Sequence, residues 1–394
     1  MIGRRHSIVF LTALAGVLVA AAPVGAATPR HRMGTVAAAY PRRAGLAELN
    51  DVACLDRSRC LAVGEARVGG EYRTLFERWA GSRWQVMPSP TPSNALLSVR
   101  SISCSSKTAC LAVGYYELRN TNHFNALVER WNGRRWRMLP APEFGIPGSH
   151  QFFAVSCPAA RFCVAVGANF SRTRKGRDYA VTAVWNGTIW RQVHRVSGGT
   201  MEGVSCPSAR SCVAIFRPGR GNHLHRLQLA EGRWSAHVDN LVGVQSALTF
   251  RDMDCVTASS CTAVGYDYQE KAEDAAAAYH WDGRTWRTLH PGPRMRLHSR
   301  DLYGVSCPAA SECIAVGSTG RTSTRFPSGQ NVPLVERFHA GETQMVPAST
   351  VTDSYATTLN GVACLPGGLC RGVGWHEVDH GNTTHTFADQ GVLF

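Results

Sequence analysis

The chain is nearly without lysine. Only Lys107, Lys175 and Lys271 occur, so the formal net charge of +14 over 394 residues is carried almost wholly by arginine. Two readings of that bias stay open: GC-rich coding, which favours arginine, and an anionic partner. Charge is also sparse. Charged residues make up 18% against 44% hydrophobic, which excludes a self-repelling disordered chain and fits a globular one. Long apolar runs are missing too, except for Ile8 to Ala22, which is shorter than the about 20 residues a membrane span needs. That run follows Arg4 and Arg5, breaks at Pro23 and leads to the small residues Gly25 and Ala26. It reads as a secretory signal peptide over residues 1–26, with a retained anchor as the alternative. Residues 27–33 then form a short linker and 34–394 one domain, with no membrane span after cleavage.

Cys-x-x-C spacing is absent as well, which removes the thioredoxin-like redox motif. All 14 cysteines fall in C-x5-C pairs instead. No histidine recurs at a fixed offset from them, so zinc spacing is also missing. The even count, the local spacing and the secretory leader predict the disulfides Cys54–Cys60, Cys104–Cys110, Cys157–Cys163, Cys206–Cys212, Cys255–Cys261, Cys307–Cys313 and Cys364–Cys370. Directly facing strands would bring each pair to a Cα distance of about 5.5 Å. With every thiol bridged, none is left as a nucleophile, and neither metal nor cofactor is expected.

The pairs also mark a repeat. Their first members stand 50, 53, 49, 49, 52 and 57 residues apart, within the range of propeller blades. A short alternating strand precedes each pair ("FFAVSC", "LYGVSC") and another follows ("CVAVG", "CIAVG"). Later comes an aromatic hairpin such as "ERWNGRRW", "AVWNGTIW" or "YHWDGRTW", whose Asn-Gly and Asp-Gly predict type I′ turns. The fourth and sixth copies have the degraded forms "QLAEGRW" and "ERFHAGET". The tryptophans are expected to pack between blades. Four strands, a to d, repeated seven times predict an all-β seven-bladed propeller. The last repeat lacks a strand d, and "GTVAAAYP" from Gly34 fits the missing strand, so the N-terminal strand would close the last blade.

The unit L-x-G-V-S-C-P-x-A-x-x-C-x-A-V-G with E-R-W-N-G-x-x-W resembles the cysteine-bridged propeller repeats of secreted actinobacterial-type proteins, over about residues 34 to 394. That resemblance implies architecture and a secreted or envelope location, with no common activity or catalytic residue to carry over. Kelch glycine doublets are missing, and the adjacent Asp282-Gly283 departs from Asp-box spacing, so no sialidase or oxidase chemistry is inferred.

The a–b and c–d turns are nearly constant in length, whereas the d–a and b–c loops on the opposite face vary, and binding lives on variable loops. Several of these are basic: the loop with Arg172, Arg174, Lys175 and Arg177, then "RPGRGNHLHR" and "HPGPRMRLHSR". Within the innermost strand one position varies strongly: Asn50, Arg100, Phe153, Glu202, Arg251, Tyr303, Asn360. Arg100, Phe153, Glu202, Arg251 and Tyr303 are the candidate ligand ring around a central funnel. No catalytic residues can be assembled from the sequence. The expectation is a monomeric binding protein for an extracellular anionic polymer, glycan or protein, with no specific nucleic acid. The alternative is an extracellular glycan hydrolase or lyase with its site at the same mouth.

Overall fold

In the computed structural model the described residues are 32–36, 39, 44–171, 176–217, 223–241, 247–268, 275–289, 300–321, 330–351, 354–378 and 383–393. The expected signal peptide and most of the linker lie outside them. All regular structure in the described residues is β, and no helix among them is long and apolar enough to cross a membrane. Five sheets have four antiparallel strands each. The remaining sheet has eight, two such units joined by the single parallel pair Asn331 and Ala356.

The first strand of each unit lies innermost: Ala44–Asp56, Ala95–Ser106, Ser149–Ala159, Thr200–Ser208, Ala247–Thr257, Arg300–Ala309 and Ala356–Cys364. Each packs on the next, and the last returns to the first, which closes the circle of a β-propeller. Gly34–Thr35 supplies the outer strand of the last blade, pairing antiparallel with Thr384–Val392. It is shorter than "GTVAAAYP" suggested, and Val36 extends it by one bond to the Ala388 carbonyl. Fully buried Met33 anchors its start.

Every innermost strand carries a β-bulge at one place. Pairing with strand b skips Asn50, Arg100, Phe153, Glu202, Arg251, Tyr303 and Asn360 in turn. A bulge re-aims the extra residue and bends the strand. Here it presses the carbonyl two residues earlier onto strand b, where six blades have glycine: Gly64, Gly114, Gly167, Gly265, Gly317 and Gly374. A Cβ on Gly167 would lie 1.9 Å from the Gln151 oxygen. The glycine of "AVG" is therefore a consequence of the bulge. Blade four holds Phe216 there with its bulge retained, and nothing in the structure explains that exception.

All seven disulfides form within their own blades, between strands a and b. Their Cα separations run from 3.9 to 4.1 Å, shorter than expected. In four blades the two cysteines stand directly opposite one another in the ladder, where close pairs approach to about 4.5 Å.

The Asn-Gly and Asp-Gly turns are not type I′. The ladder ends at the tryptophan pair, as in Trp131 with Trp136, leaving four loop residues. Asn132 Oδ1 accepts the N–H groups of Arg134 and Arg135, and Asp282 Oδ1 those of Arg284 and Thr285. These side chains cap the loop, but Ala80 makes the same four-residue loop between Trp79 and Trp84 without a cap, so the loop does not depend on it. Two-residue turns with both φ values positive occur instead in the degraded copies, at Glu231-Gly232 and Ala340-Gly341. The paired tryptophan rings stand 5.5 to 5.7 Å apart, and Trp136 stacks at 4.2 Å on Phe76 of the blade before. The expected inter-blade packing is thereby found.

Strand c of the second blade buries Glu129 almost completely. Burial pushes its carboxyl up to about 9, against a small opposing pull from Thr74. A carboxyl raised in the folded state binds its proton there at pH values where the unfolded chain has released it. Stability should therefore fall as pH rises from about 4.5 to 9, by at most about 1.4 kcal/mol per pH unit for one proton. Glu77, raised to about 8, acts in the same direction. Urea midpoints of Glu129→Gln measured from pH 5 to 8 should decline less steeply than the parent's. Parallel curves would refute an uncompensated proton on Glu129.

Candidate functional site

The bulges converge on the axis. A central cavity of about 510 Å³ is lined by all seven bulged residues together with the strand a residues that follow them. The residues two places before each first cysteine are all buried in its wall, from Met253 at 3% exposed to Val155 and Val362 at 6%. Arg100, Phe153, Glu202, Arg251 and Tyr303 are each half-buried at this cavity. Arg177 is exposed and does not line it. Arg172, Arg174 and Lys175 lie outside the described residues.

The seven bulged residues divide by what they already hold. Asn50 Nδ2 donates to the Val99 carbonyl of the next blade at 2.9 Å and to Glu65 at 2.8 Å. Asn360 Nδ2 donates to the Leu49 carbonyl at 3.0 Å, across the seam where the ring closes. These two are clamps between blades. Of the other five, Glu202, Arg251 and Tyr303 make contacts within their own blade. Phe153 reaches the blade before, and Arg100 lies near the acids Glu48, Asp51 and Glu65 of the blade before. Tyr303 Oη donates to Asp301 at 3.2 Å, and Thr200 Oγ1 donates to Glu202 at 3.0 Å. Phe153 meets Tyr115 edge-on at 6.3 Å. The Arg251 guanidinium lies over the Tyr266 ring at 5.2 Å, and its Nε is buried with no acceptor.

Below the ring lies a layer of acids. Asp51 Oδ2 accepts the Ile102 N–H of the next blade at 2.8 Å, and Oδ1 takes its neighbour Val52 at 2.7 Å. Asp252 repeats this with Val305 and Met253. Asp254 accepts the Cys307 N–H at 2.8 Å. Elsewhere a serine does the same work: Ser103, Ser156, Ser205 and Ser306 each accept the N–H of the first cysteine in the following blade. Burial pushes Asp51 up to about 6, countered by those N–H groups. Burial, with the Asp51 charge adding to it, holds Asp252 well above the usual carboxylate range. Glu65 is pushed up to about 7 by burial and by Glu48, with Arg100 opposing. These acids were not singled out from the sequence, although aspartate stands in blades one and five where other repeats have serine, alanine or glycine.

Two arginines of the basic loops turn inward. Arg226 forms a buried ion pair with Asp239 at 2.8 Å and lies 4.1 Å over the Trp281 ring. Arg300 pairs with buried Glu336. Neither contributes to a solvated basic face. "HEVDH" places His376, Asp379 and His380 close together in the sequence; His376 meets His385 at 5.5 Å, while Asp379 and His380 lie outside the described residues. Among the described residues no group of three or more His, Cys, Asp or Glu stands together as metal ligands would.

No family model and no curated protein matches this chain. Among solved structures it is similar to an oligogalacturonate lyase in complex with manganese, at 10% identity and a TM-score of 0.42, with 85% of each chain covered. Nothing about chemistry follows from a likeness that distant. The disulfides themselves point to an oxidising environment outside the cytosol.

Proposed function

We propose that the protein is a secreted binding protein that holds an anionic glycan segment at the mouth of its central channel. The observation that carries this reading is the division of the bulged ring: two asparagines clamp blades, while the other five bring charged and aromatic side chains to the cavity. Arg100 and Arg251 bring the charge for a carboxylate or sulfate. Phe153 and Tyr303 offer faces to sugar rings, and Glu202 accepts hydroxyl donors. The enzyme alternative draws no support from the three buried aspartates. Asp51, Asp252 and Asp254 hold backbone N–H groups of their own and neighbouring blades, so none of them is poised as a free general acid or base.

The test is calorimetric titration of the mature protein with alginate, hyaluronate and teichoic acid, with dextran as the neutral control, across a salt series. Binding to at least one acidic polymer, weakening with salt, is the expected result. Arg100→Ala and Arg251→Ala should each weaken it about tenfold to a hundredfold. Salt-insensitive binding, or none to any acidic polymer, would remove the reading. Chain shortening of the polymer during the titration would favour the enzyme.

A further inference from the structure

The face opposite the channel mouth is levelled by the ladders. In the second blade Cys104 stands opposite Cys110, Cys110 opposite Trp131 and Trp131 opposite Trp136. The a–b and c–d turns just beyond them therefore lie at one height. The two turns also touch. The Trp131 indole N–H donates to the Lys107 carbonyl at 3.1 Å, and in the third blade a Cβ on Gly187 would stand 3.2 Å from the Arg161 Cβ. Neighbouring blades keep that height, because Asp51 accepts the Ile102 N–H and Ser103 the Cys157 N–H with the same one-residue offset. Short turns on one level make a broad and shallow surface.

In the first three blades these turns carry six cations and no acid: Arg57 and Arg83, then Lys107, Arg134 and Arg135, then Arg161. All six are exposed, and none forms an ion pair with another described residue. Nearby Arg59 differs, being matched by Asp56 at 2.9 Å. In the sixth and seventh blades the equivalent turns, residues 310–311, 340–341 and 365–368, hold no cation. A coding bias toward arginine would charge all seven blades alike, whereas here the charge is confined to one sector. Unpaired cations at one height attract an extended anionic surface.

Apolar side chains border the sector at the same level. Ile189, in the c–d turn of the third blade, is 51% exposed. Val392 is 57% exposed at the end of strand c in the seventh blade, one residue beyond the Cys370 and Gly391 pair. The seventh blade adjoins the first across the ring closure. A soluble polyanion gains nothing from such side chains, but the headgroup region of a bilayer takes cations and apolar groups together. We propose that this face docks on a lipid bilayer through its anionic headgroups, with the first three blades against the membrane. The mouth lies on the other face, so docking leaves it open and does not depend on what the channel holds.

Cosedimentation with sucrose-loaded vesicles tests this, using phosphatidylcholine alone and phosphatidylcholine with about a quarter phosphatidylglycerol. At about 50 mM salt the mature protein should bind the anionic vesicles at least about tenfold more tightly than the neutral ones, and lose that preference by about 500 mM. Arg134→Glu with Arg135→Glu should weaken binding at least about tenfold. Arg67→Glu with Arg73→Glu makes the same charge change at exposed positions beside the opposite face, and should stay within about twofold of the parent. Ile189→Ser should weaken vesicle binding about threefold and leave binding of free polyphosphate unchanged. Urea midpoints show whether each variant folds, and Lys107→Glu serves if the turn double does not. Equal losses in the two doubles would reduce the effect to net charge and overturn the docking face. Equal binding to both kinds of vesicle would overturn it too. Tighter binding to free polyphosphate than to anionic vesicles at equal phosphate concentration, or an unchanged Ile189→Ser variant, would assign the face to a soluble polyanion and remove the bilayer.

Discussion

Alanine at Gly167 is expected to destabilise the protein by more than about 3 kcal/mol. The added Cβ would stand 1.9 Å from the Gln151 oxygen and 2.8 Å from the Phe152 Cα. Both are backbone atoms, so no flexible side chain can swing aside. The strand can respond by parting from its neighbour, which sacrifices ladder bonds beside fully buried Phe152. It can also lose the bulge, which slips the register by one and turns Phe153 away from the channel. The control is Gly45→Ala in the first innermost strand, where a Cβ meets nothing within 4 Å; it should stay within about 0.5 kcal/mol of the parent. Urea denaturation measures both. Equal midpoints for the two variants would show that the bulge does not constrain this position.

The architecture was legible because its markers are local and repeated. Cys157 and Cys163 announce a hairpin by their spacing alone, and six further copies count the circle. The closing strand at Gly34–Thr35 could be inferred from the strand missing after Thr384–Val392. The bulges were not legible, because a bulge is a relation between two strands. Its one trace, the glycine after "AV", reads as the end of a strand. The hairpin turns misled for a related reason. Asn-Gly favours positive φ at both residues, but the ladder ends at the tryptophan pair and leaves four loop residues, in the first blade with Ala80 as in the second with Asn132.

Sequence variation alone was enough to place Arg100, Phe153, Glu202, Arg251 and Tyr303 at the central cavity, since a position that changes among packed neighbours faces open space. It could not separate them from Asn50 and Asn360, whose partners are the Val99 and Leu49 carbonyls of other blades. The acids were hidden by the same distance. Asp51 and Asp252 act on backbone groups 51 and 53 residues away, a separation that no local pattern shows. Arg226 and Arg300 looked like solvated loop charges because their partners, Asp239 and Glu336, stand on other strands.

Reduction of the disulfides is expected to unfold the chain under conditions where the oxidised protein is stable. Each bridge closes a loop of only a few residues and so contributes about 2 kcal/mol on the chain-entropy model. Seven such contributions approach or exceed the about 5 to 15 kcal/mol by which folded proteins are stable. The loss should spread beyond the blade in which a bridge is cut. Cys157 and Cys163 are buried in one cluster with Leu111, Val113 and Val128 of the preceding blade and Phe152 and Trp185 of their own. Loosening that hairpin therefore loosens two blades, and the ring has no independent half to fall back on. Replacing Cys157 and Cys163 together by alanine should lower the urea midpoint by the equivalent of about 2 kcal/mol, with one transition retained. Full reduction by a phosphine should leave no cooperative transition at neutral pH. A reduced chain that melts at the oxidised midpoint would mean that the packing between blades suffices, and that the cysteines only set the register of each a–b hairpin.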